Sequence, residues 1–515
     1  MPATRTEQAW LEEARTRVLQ GLIPSAQVTL NQALTEYPAS TVLRRAQAGL
    51  FQQTGRDKEA EMLLRTLLER DVNDVVSAFT LAEMLKQQGR AAAAASILRT
   101  CFARTSDCRD ADLAIRAIEL LDDCDRKADA ASIAAVAIEA NPDDPRLHAY
   151  AGMLQIQLGN FELARRHYLF ALEHDGRAWE WHVPIGLSSA QRYESAEHSD
   201  FALFRNGLLR ESLSHKAHAE LHFALGKSHD DVGDYEQAAR HFREGNIIAH
   251  RLTKWSRKAW RRAVEARLAT KPIARPLEAS ADFTPVFIVG MPRSGTTLLA
   301  TLLSRYPAVC NRGELPWIAR IAERPVLNGT PGRGSLQDAA AMYAAQARRD
   351  DAGDARWFID KQPLNFRYLD LMLSMFPHAK ILHCQRDARD TALSLWMQCF
   401  REDVQGYAYD FDDIATVMRD CGRLMDHWRQ RYAGAIRTVR YENLVAEPQA
   451  TIADLAQWVG LPAPGANEPS SPKATTSPIS TASLWQARQP VNTRSIEHWR
   501  HYAPYMPELL RMPKT

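Results

Sequence analysis

Tight-turn residues recur at a fixed interval through the first third of the chain. Gly21, Gly55, Gly89, Asp125 and Gly159 stand 34, 34, 36 and 34 residues apart. That period fits a pair of helices joined by a short turn, a unit too small to bury its apolar face until it stacks on neighbours. Five residues after each turn comes an alanine: Ala26, Ala60, Ala94, Ala130 and Ala164. Seven before it stand Ala14, Ala48, Ala82, Ile118 and Gly152, small in four cases of five. Small side chains at both places let the paired helices approach closely. Pro38 and Pro142 follow the second helix of their units, where a residue without an N–H stops a helix.

These residues resemble the tetratricopeptide repeat family over about residues 5 to 175, with a sixth unit at LHFALGKSHDDVGDYEQAARHF around Gly233 and Ala238. The interval 177–215 fits the period poorly and reads as a degenerate unit with an insertion. The resemblance implies a concave surface that docks a peptide or protein, with scaffolding or a homodimer as the plainer roles. His215, His218 and His222 share one helical face but lack a Cys or Glu to complete a tetrahedral metal set, so they read as packed residues.

Composition narrows the partners. A net charge of +2 over 515 residues lacks the basic excess of a nucleic-acid binder. The seven cysteines are scattered without a CxxC pair, which favours a reducing compartment. No stretch approaches the ~18 apolar residues of a membrane span, and the N-terminus lacks a signal-like apolar core. The expectation is a cytoplasmic enzyme with no membrane and no nucleic-acid partner. Helical periodicity fades between Thr270 and Thr284, where Pro272, Pro276 and Pro285 cluster. The expected domains are therefore a repeat array over 1–250, a connecting helix and linker over 251–283, and a second domain over 284–515.

The second domain opens with PVFIVG, a β-branched apolar run, leading into MPRSGTTLLATLLSRY with a leucine stripe at helical spacing. Strand, tight loop and helix make an anion cradle of backbone N–H groups at a helix N-terminus. The loop from Gly290 to Thr297 reads GxxxxGTT, one residue from the nucleotide-hydrolysing pattern GxxxxGK[ST]. Thr296 stands where a kinase needs lysine, and Arg293 supplies a cation earlier. A less highly charged sulfonate can be held by guanidinium, loop amides and hydroxyls without a divalent ion.

PRSGTTLL resembles the first motif of the sulfotransferase family, and within it the tyrosylprotein sulfotransferases and the bacterial proteins that fuse such a domain to tetratricopeptide repeats. The resemblance runs over about residues 284 to 505 and implies an α/β P-loop domain with a central parallel sheet behind the helical solenoid. It implies 3′-phosphoadenosine 5′-phosphosulfate as sulfuryl donor, no metal, and an acceptor hydroxyl, with protein tyrosine among the candidates. Pro292, Arg293, Ser294, Gly295, Thr296 and Thr297 would cradle the 5′-phosphosulfate. Glu314, in the GE of AVCNRGELPWIAR, would be the base, and Lys361, in WFIDKQPLNF, the cation on the transferring group. Arg386 and Ser394, eight residues apart across a strand-to-helix turn, would bind the 3′-phosphate, and Tyr441, ending the strand in IRTVRYENLV, would approach the adenine. Arg389 and Asp390 read as a local cap and pair, His383 as packed, and Trp317, Phe366, Trp396 and Phe400 as an aromatic cleft or simply core.

Residues 461–483 are rich in Pro, Ser, Thr and Gly and read as a mobile connection. The following SLWQARQPVNTRSIEHWRHY resembles the segment that folds over the donor in tyrosylprotein enzymes, implicating Ser483 in catalysis and Arg488, Gln489 and Asn492 in donor binding. Gln489 departs from the lysine of those enzymes. The alternative to an enzyme is a docking module whose P-loop domain senses nucleotide without catalysis.

Overall fold

A computed structural model describes residues 5–270, 276–278, 282–324, 327, 332–350, 352–400, 405–462 and 491–513. The chain divides into two compact units, Met1–Pro142 and Asp143–Thr515. The first holds four antiparallel helix pairs: Glu7–Leu19 with Ile23–Glu36, Thr41–Gln53 with Asp57–Arg70, Val75–Gln87 with Ala91–Cys101, and Ala111–Asp123 with Lys127–Ala140. Each turn needs one left-handed residue. Gly21, Gly55 and Gly89 supply it at φ near +74°, and Asp125 does so at φ +60° despite its side chain. Ala26, Ala60, Ala94 and Ala130 are all fully buried between paired helices. Ser40, Asp74 and Asp110 cap the following helices through their side chains.

The second unit begins with two further pairs of the same design. Pro145–Leu158 packs on Phe161–His174, and His215–Asp231 on Tyr235–Leu252. At Gly152 and Gly226 a β-carbon would come within 2.7 Å of the Tyr168 and Phe242 rings, so glycine here lets an aromatic lie flat across its neighbour. Between the pairs, the poorly fitting interval folds as a 3₁₀ turn, Gly176–Glu180, and two short helices, Val183–Ser189 and Ser199–Leu208. The three histidines do not gather: His218 bonds the Ser214 carbonyl, and His222 meets His241 on the next helix, Nδ1 to Nδ1, at 3.1 Å.

Five parallel strands follow: β1 Thr284–Gly290, β2 Val309–Asn311, β3 Trp357–Asp360, β4 Lys380–Gln385 and β5 Ile436–Arg440. Their order is β2-β3-β1-β4-β5, with β1 at the centre. Both sheet faces are covered, as a parallel sheet requires. Val286 and Ile288 pack with Leu299, Leu382 and Val439 on one face. Phe287 and Val289 enter a larger core on the other.

That larger core also contains Phe223, Phe242 and Ala249 of the last repeat and Trp260 of the basic helix Arg257–Leu268. Trp260 Nε1 donates to Asp420 at 3.0 Å, and Arg257 pairs with Asp413. The compact division falls after Pro142, and the last pair, His215–Asp231 with Tyr235–Leu252, shares its apolar residues with the sheet core. Among the described residues no helix is long and apolar enough to cross a membrane.

Candidate functional site

All five strands end on the same edge, and Arg293, Glu314, Lys361 and Arg386 follow the strand ends there. β1 stops at Gly290, whose absent side chain lets its backbone run against β4: a β-carbon would meet the Cys384 carbonyl at 2.4 Å. The chain then turns through Met291–Gly295 into helix Thr296–Leu303. Ser294 Oγ donates to the Met291 carbonyl at 2.7 Å, which closes the loop. Arg293 takes a left-handed φ of +69° and Gly295 one of +96°. A β-carbon at Gly295 would press on the Tyr441 ring at 2.5 Å. Thr296 is buried at the helix start, where unsatisfied N–H groups and the helix dipole favour an anion.

Beside the loop stand two arginines. Arg386 follows β4 and is 8% exposed. It donates to the Arg293 carbonyl at 3.0 Å and to the Ser495 carbonyl, and its guanidinium lies over the Tyr441 ring at 4.7 Å. Arg293 Nε in turn donates to Ser394 Oγ at 2.9 Å. Protein atoms crowd the Arg293 guanidinium although the residue as a whole keeps intermediate exposure. That burial, and then the like charge of Arg386, lowers its pKa to about 10. Two close cations sharing a pocket with a hydroxyl and a helix N-terminus favour a multiply charged oxyanion.

On the other side of β1, Lys361 follows β3 and is almost fully buried. It forms an ion pair with Glu314, whose side chain is 35% exposed. The Glu314 loop is fixed to β3 by two backbone bonds, Arg312 N–H to the Ile359 carbonyl and Lys361 N–H to the Gly313 carbonyl, both 2.8 Å. Gly313 at φ +65° permits the turn. Asp360 pairs in register with Phe287, which sets the following Lys361 beside the end of β1 that leads into the loop. Asp360, adjoining Lys361, accepts from Tyr343 Oη at 3.1 Å and Leu315 N–H at 3.3 Å. Burial raises its pKa to about 7.

The structure changes two sequence expectations, for Asp390 and Tyr441, and gives the other named residues their surroundings. Asp390 is not a local partner of Arg389. Asp387 caps the helix and pairs with Arg389, while Asp390 accepts from Glu497 N–H at 2.8 Å and Trp499 N–H at 3.0 Å, more than a hundred residues on. Phe366 and Trp396 are core: Phe366 is fully buried against Trp260, and Trp396 stacks on Phe411 at 5.0 Å. Trp317 and Phe400 keep intermediate exposure. Tyr441 begins helix Tyr441–Ala446 with its ring between Gly295 and Arg386. His383 is buried against Arg429, 2.9 Å from Nδ1. Asn492 accepts from Arg494 N–H at 3.2 Å in a local turn, whereas Ser483, Arg488 and Gln489 lie outside the described residues. Among the described residues no group of three or more His, Cys, Asp or Glu is placed to hold a metal.

A parallel sheet with a tight loop on its central strand, arginines on one flank and a lysine–carboxylate pair on the other defines an α/β protein with its charged side chains gathered at the carboxyl ends of the strands. Comparison shows what this domain resembles. Residues 285–465 match the model of the sulfotransferase family. An uncharacterized protein of Aquifex aeolicus (strain VF5) is 31% identical over 245 residues, 44% of this chain and 32% of that protein. Protein-tyrosine sulfotransferase 1 of Danio rerio is 24% identical over 254 residues, 44% of this chain and 68% of its own length. The chain thus spans about a third of the Aquifex protein. The sulfotransferase domain of the Synechococcus PCC 7002 olefin synthase, 21% identical, aligns over 45% of this chain and 91% of its own with a TM-score of 0.33.

Proposed function

We propose that the α/β domain transfers a sulfuryl group from 3′-phosphoadenosine 5′-phosphosulfate to an acceptor hydroxyl. The observation that carries this reading is the flanking of one anion loop by two charge systems, Arg293–Arg386–Ser394 and Lys361–Glu314. The donor's chemistry fits the residues present. The Arg386 Nε–H is buried and has no acceptor in the structure among the described residues, and it suits a 3′-phosphate oxygen. Gly295, without a side chain, lets the Tyr441 ring lie against the loop where the adenosine would sit. When bound, the donor supplies the sulfuryl group, whose bond to the phosphate oxygen breaks as the bond to the acceptor oxygen forms.

Glu314 is the partly exposed member of its ion pair and takes the proton from the acceptor hydroxyl. Lys361, held rigid by burial, stabilises the negative charge that develops on the oxygen between sulfur and phosphorus. Arg293 and the loop amides hold the phosphate that departs with the bonding electron pair. No divalent ion is needed for that charge balance.

The Danio relative bears the name of an enzyme acting on protein tyrosine, and tyrosine of a protein docked on the repeats is a candidate acceptor here. Calorimetry with 3′-phosphoadenosine 5′-phosphate beside ATP and magnesium tests the donor: the wild type should prefer the former and Arg386→Ala should lose that preference. Equal binding of both nucleotides would defeat the assignment. Labelled donor presented with peptides, phenols and glycans identifies the acceptor, and no transfer to any hydroxyl by a donor-bound protein would refute catalysis.

A further inference from the structure

Asp230 lies at the end of helix His215–Asp231 in the last repeat, remote in sequence from every donor residue above. Its Oδ1 accepts from Tyr502 Oη at 2.6 Å, and His498 Nε2 stands 3.2 Å from the same oxygen. Tyr235 stacks on His501 with ring centres 4.7 Å apart, and Arg243 pairs with Glu508 at 2.8 Å. The last repeat therefore grips one side of the C-terminal segment. Its other side is held by the α/β domain, through Asp390 to the Glu497 and Trp499 amides and through Arg386 to the Ser495 carbonyl. Glu497 sits at φ +58° between these contacts, a conformation that persists only where surroundings over-determine it.

Arg386 is the link between the two sides. One N–H of each Nη is held by the carbonyls of Arg293 and Ser495 and its face by Tyr441, which fixes the orientation of the guanidinium and of its Nε–H. A donor fixed in advance loses less freedom when its ligand arrives. We propose that Asp230 is a positioning residue for the donor's 3′-phosphate: by seating residues 495–502 against Arg386, the last repeat holds that guanidinium in its phosphate-binding orientation. This rests on the reading of Arg386 as the 3′-phosphate ligand. It makes the last repeat part of the donor site rather than only a docking platform.

The test is calorimetry on the full chain with 3′-phosphoadenosine 5′-phosphate and with 5′-AMP, which lacks the 3′-phosphate. Asp230→Ala should weaken the bisphosphate ~10-fold and 5′-AMP less than about twofold, as expected for lost preorganisation at one subsite. Tyr502→Phe, which removes only the hydroxyl, should give ~3-fold in the same selective pattern, and Asp230→Glu should restore part of the loss. In an Arg386→Ala background, Asp230→Ala should cost nothing further. Should Asp230→Ala fail to fold, Tyr502→Phe carries the test alone. A wild type that prefers the bisphosphate, with variants that weaken both nucleotides equally or neither, overturns the positioning role while the donor assignment stands. A wild type with no preference overturns both.

Discussion

Replacing Asp360 with asparagine should remove a pH dependence from the C-terminal unit. The carboxyl ends β3 with Tyr343 Oη on one oxygen and Leu315 N–H on the other, and burial outweighs those bonds, raising its pKa to about 7. In the unfolded chain the value is about 3.9. The native state therefore holds this proton more tightly. Its contribution to stability is fully present below pH ~4, falls as pH rises from there, and is lost once pH passes about 7. Three pKa units at ~1.4 kcal/mol each set a ceiling of about 4 kcal/mol, of which about 1 kcal/mol falls between pH 6 and pH 8.5.

An amide keeps the size of the side chain and cannot ionise, so its stability curve should lack that decline. Of the twelve tryptophans only Trp10 precedes Asp143, so tryptophan fluorescence follows unfolding of the second unit almost alone. Urea unfolding of both proteins at pH 6 and 8.5 should show the variant gaining about 1 kcal/mol relative to wild type across that interval. Parallel profiles, or a variant that gains at pH 6 instead, would refute the protonated Asp360. The same proton matters to the proposed chemistry, because an ionised Asp360 would set a second carboxylate beside Lys361 in competition with Glu314 and the transferred group.

Further consequences are open to simple assays. Lys361→Met should lower kcat ~10²- to 10³-fold while changing the Kd of 3′-phosphoadenosine 5′-phosphate less than about fivefold, since its charge is needed in the transition state. Glu314→Gln should lower kcat ~10²- to 10⁴-fold and leave nucleotide binding in place, which stopped-flow mixing and calorimetry separate. Gly295→Ala meets both a φ of +96° and the Tyr441 ring, so it should weaken the nucleotide through displaced Tyr441 and Arg386, read by calorimetry. Gly226→Ala should destabilise the second unit by ~1–3 kcal/mol through the buried Phe242 ring, measured by urea unfolding. Gly21→Ala, with open space around it but φ +74°, should cost about 1 kcal/mol in the first unit.

What the sequence could reveal depended on how local the cause was. The repeats were legible because a turn glycine and two small residues fall within about a dozen positions of one another, and packing repeats with the period. The strand–loop–helix at Gly290 was legible for the same reason. β2 escaped because three residues, Val309–Asn311, carry no alternation, and it becomes a strand only by pairing with β3. Asp390 looked like a helix-capping residue beside Arg389, yet its acceptors are used by amides at 497 and 499. No spacing rule reaches across 107 residues.

The same limit hid the end of the repeat array. Periodicity identified Gly233 and Ala238 as one more unit, but it could not say that Phe223 and Phe242 face the sheet core rather than another repeat. Apolar stripes state that a face is buried and leave open what buries it. At this helix pair the difference has chemical weight, because the elements that shield the sheet also hold the C-terminal segment whose Ser495 carbonyl engages Arg386. If so, a substitution in the last repeat that spares its fold should alter discrimination between nucleotides with and without a 3′-phosphate, whereas one in the first unit should leave it unchanged. Binding measurements on Asp230→Ala beside Gly21→Ala make that contrast, and equal effects from both would remove the last repeat from the donor site.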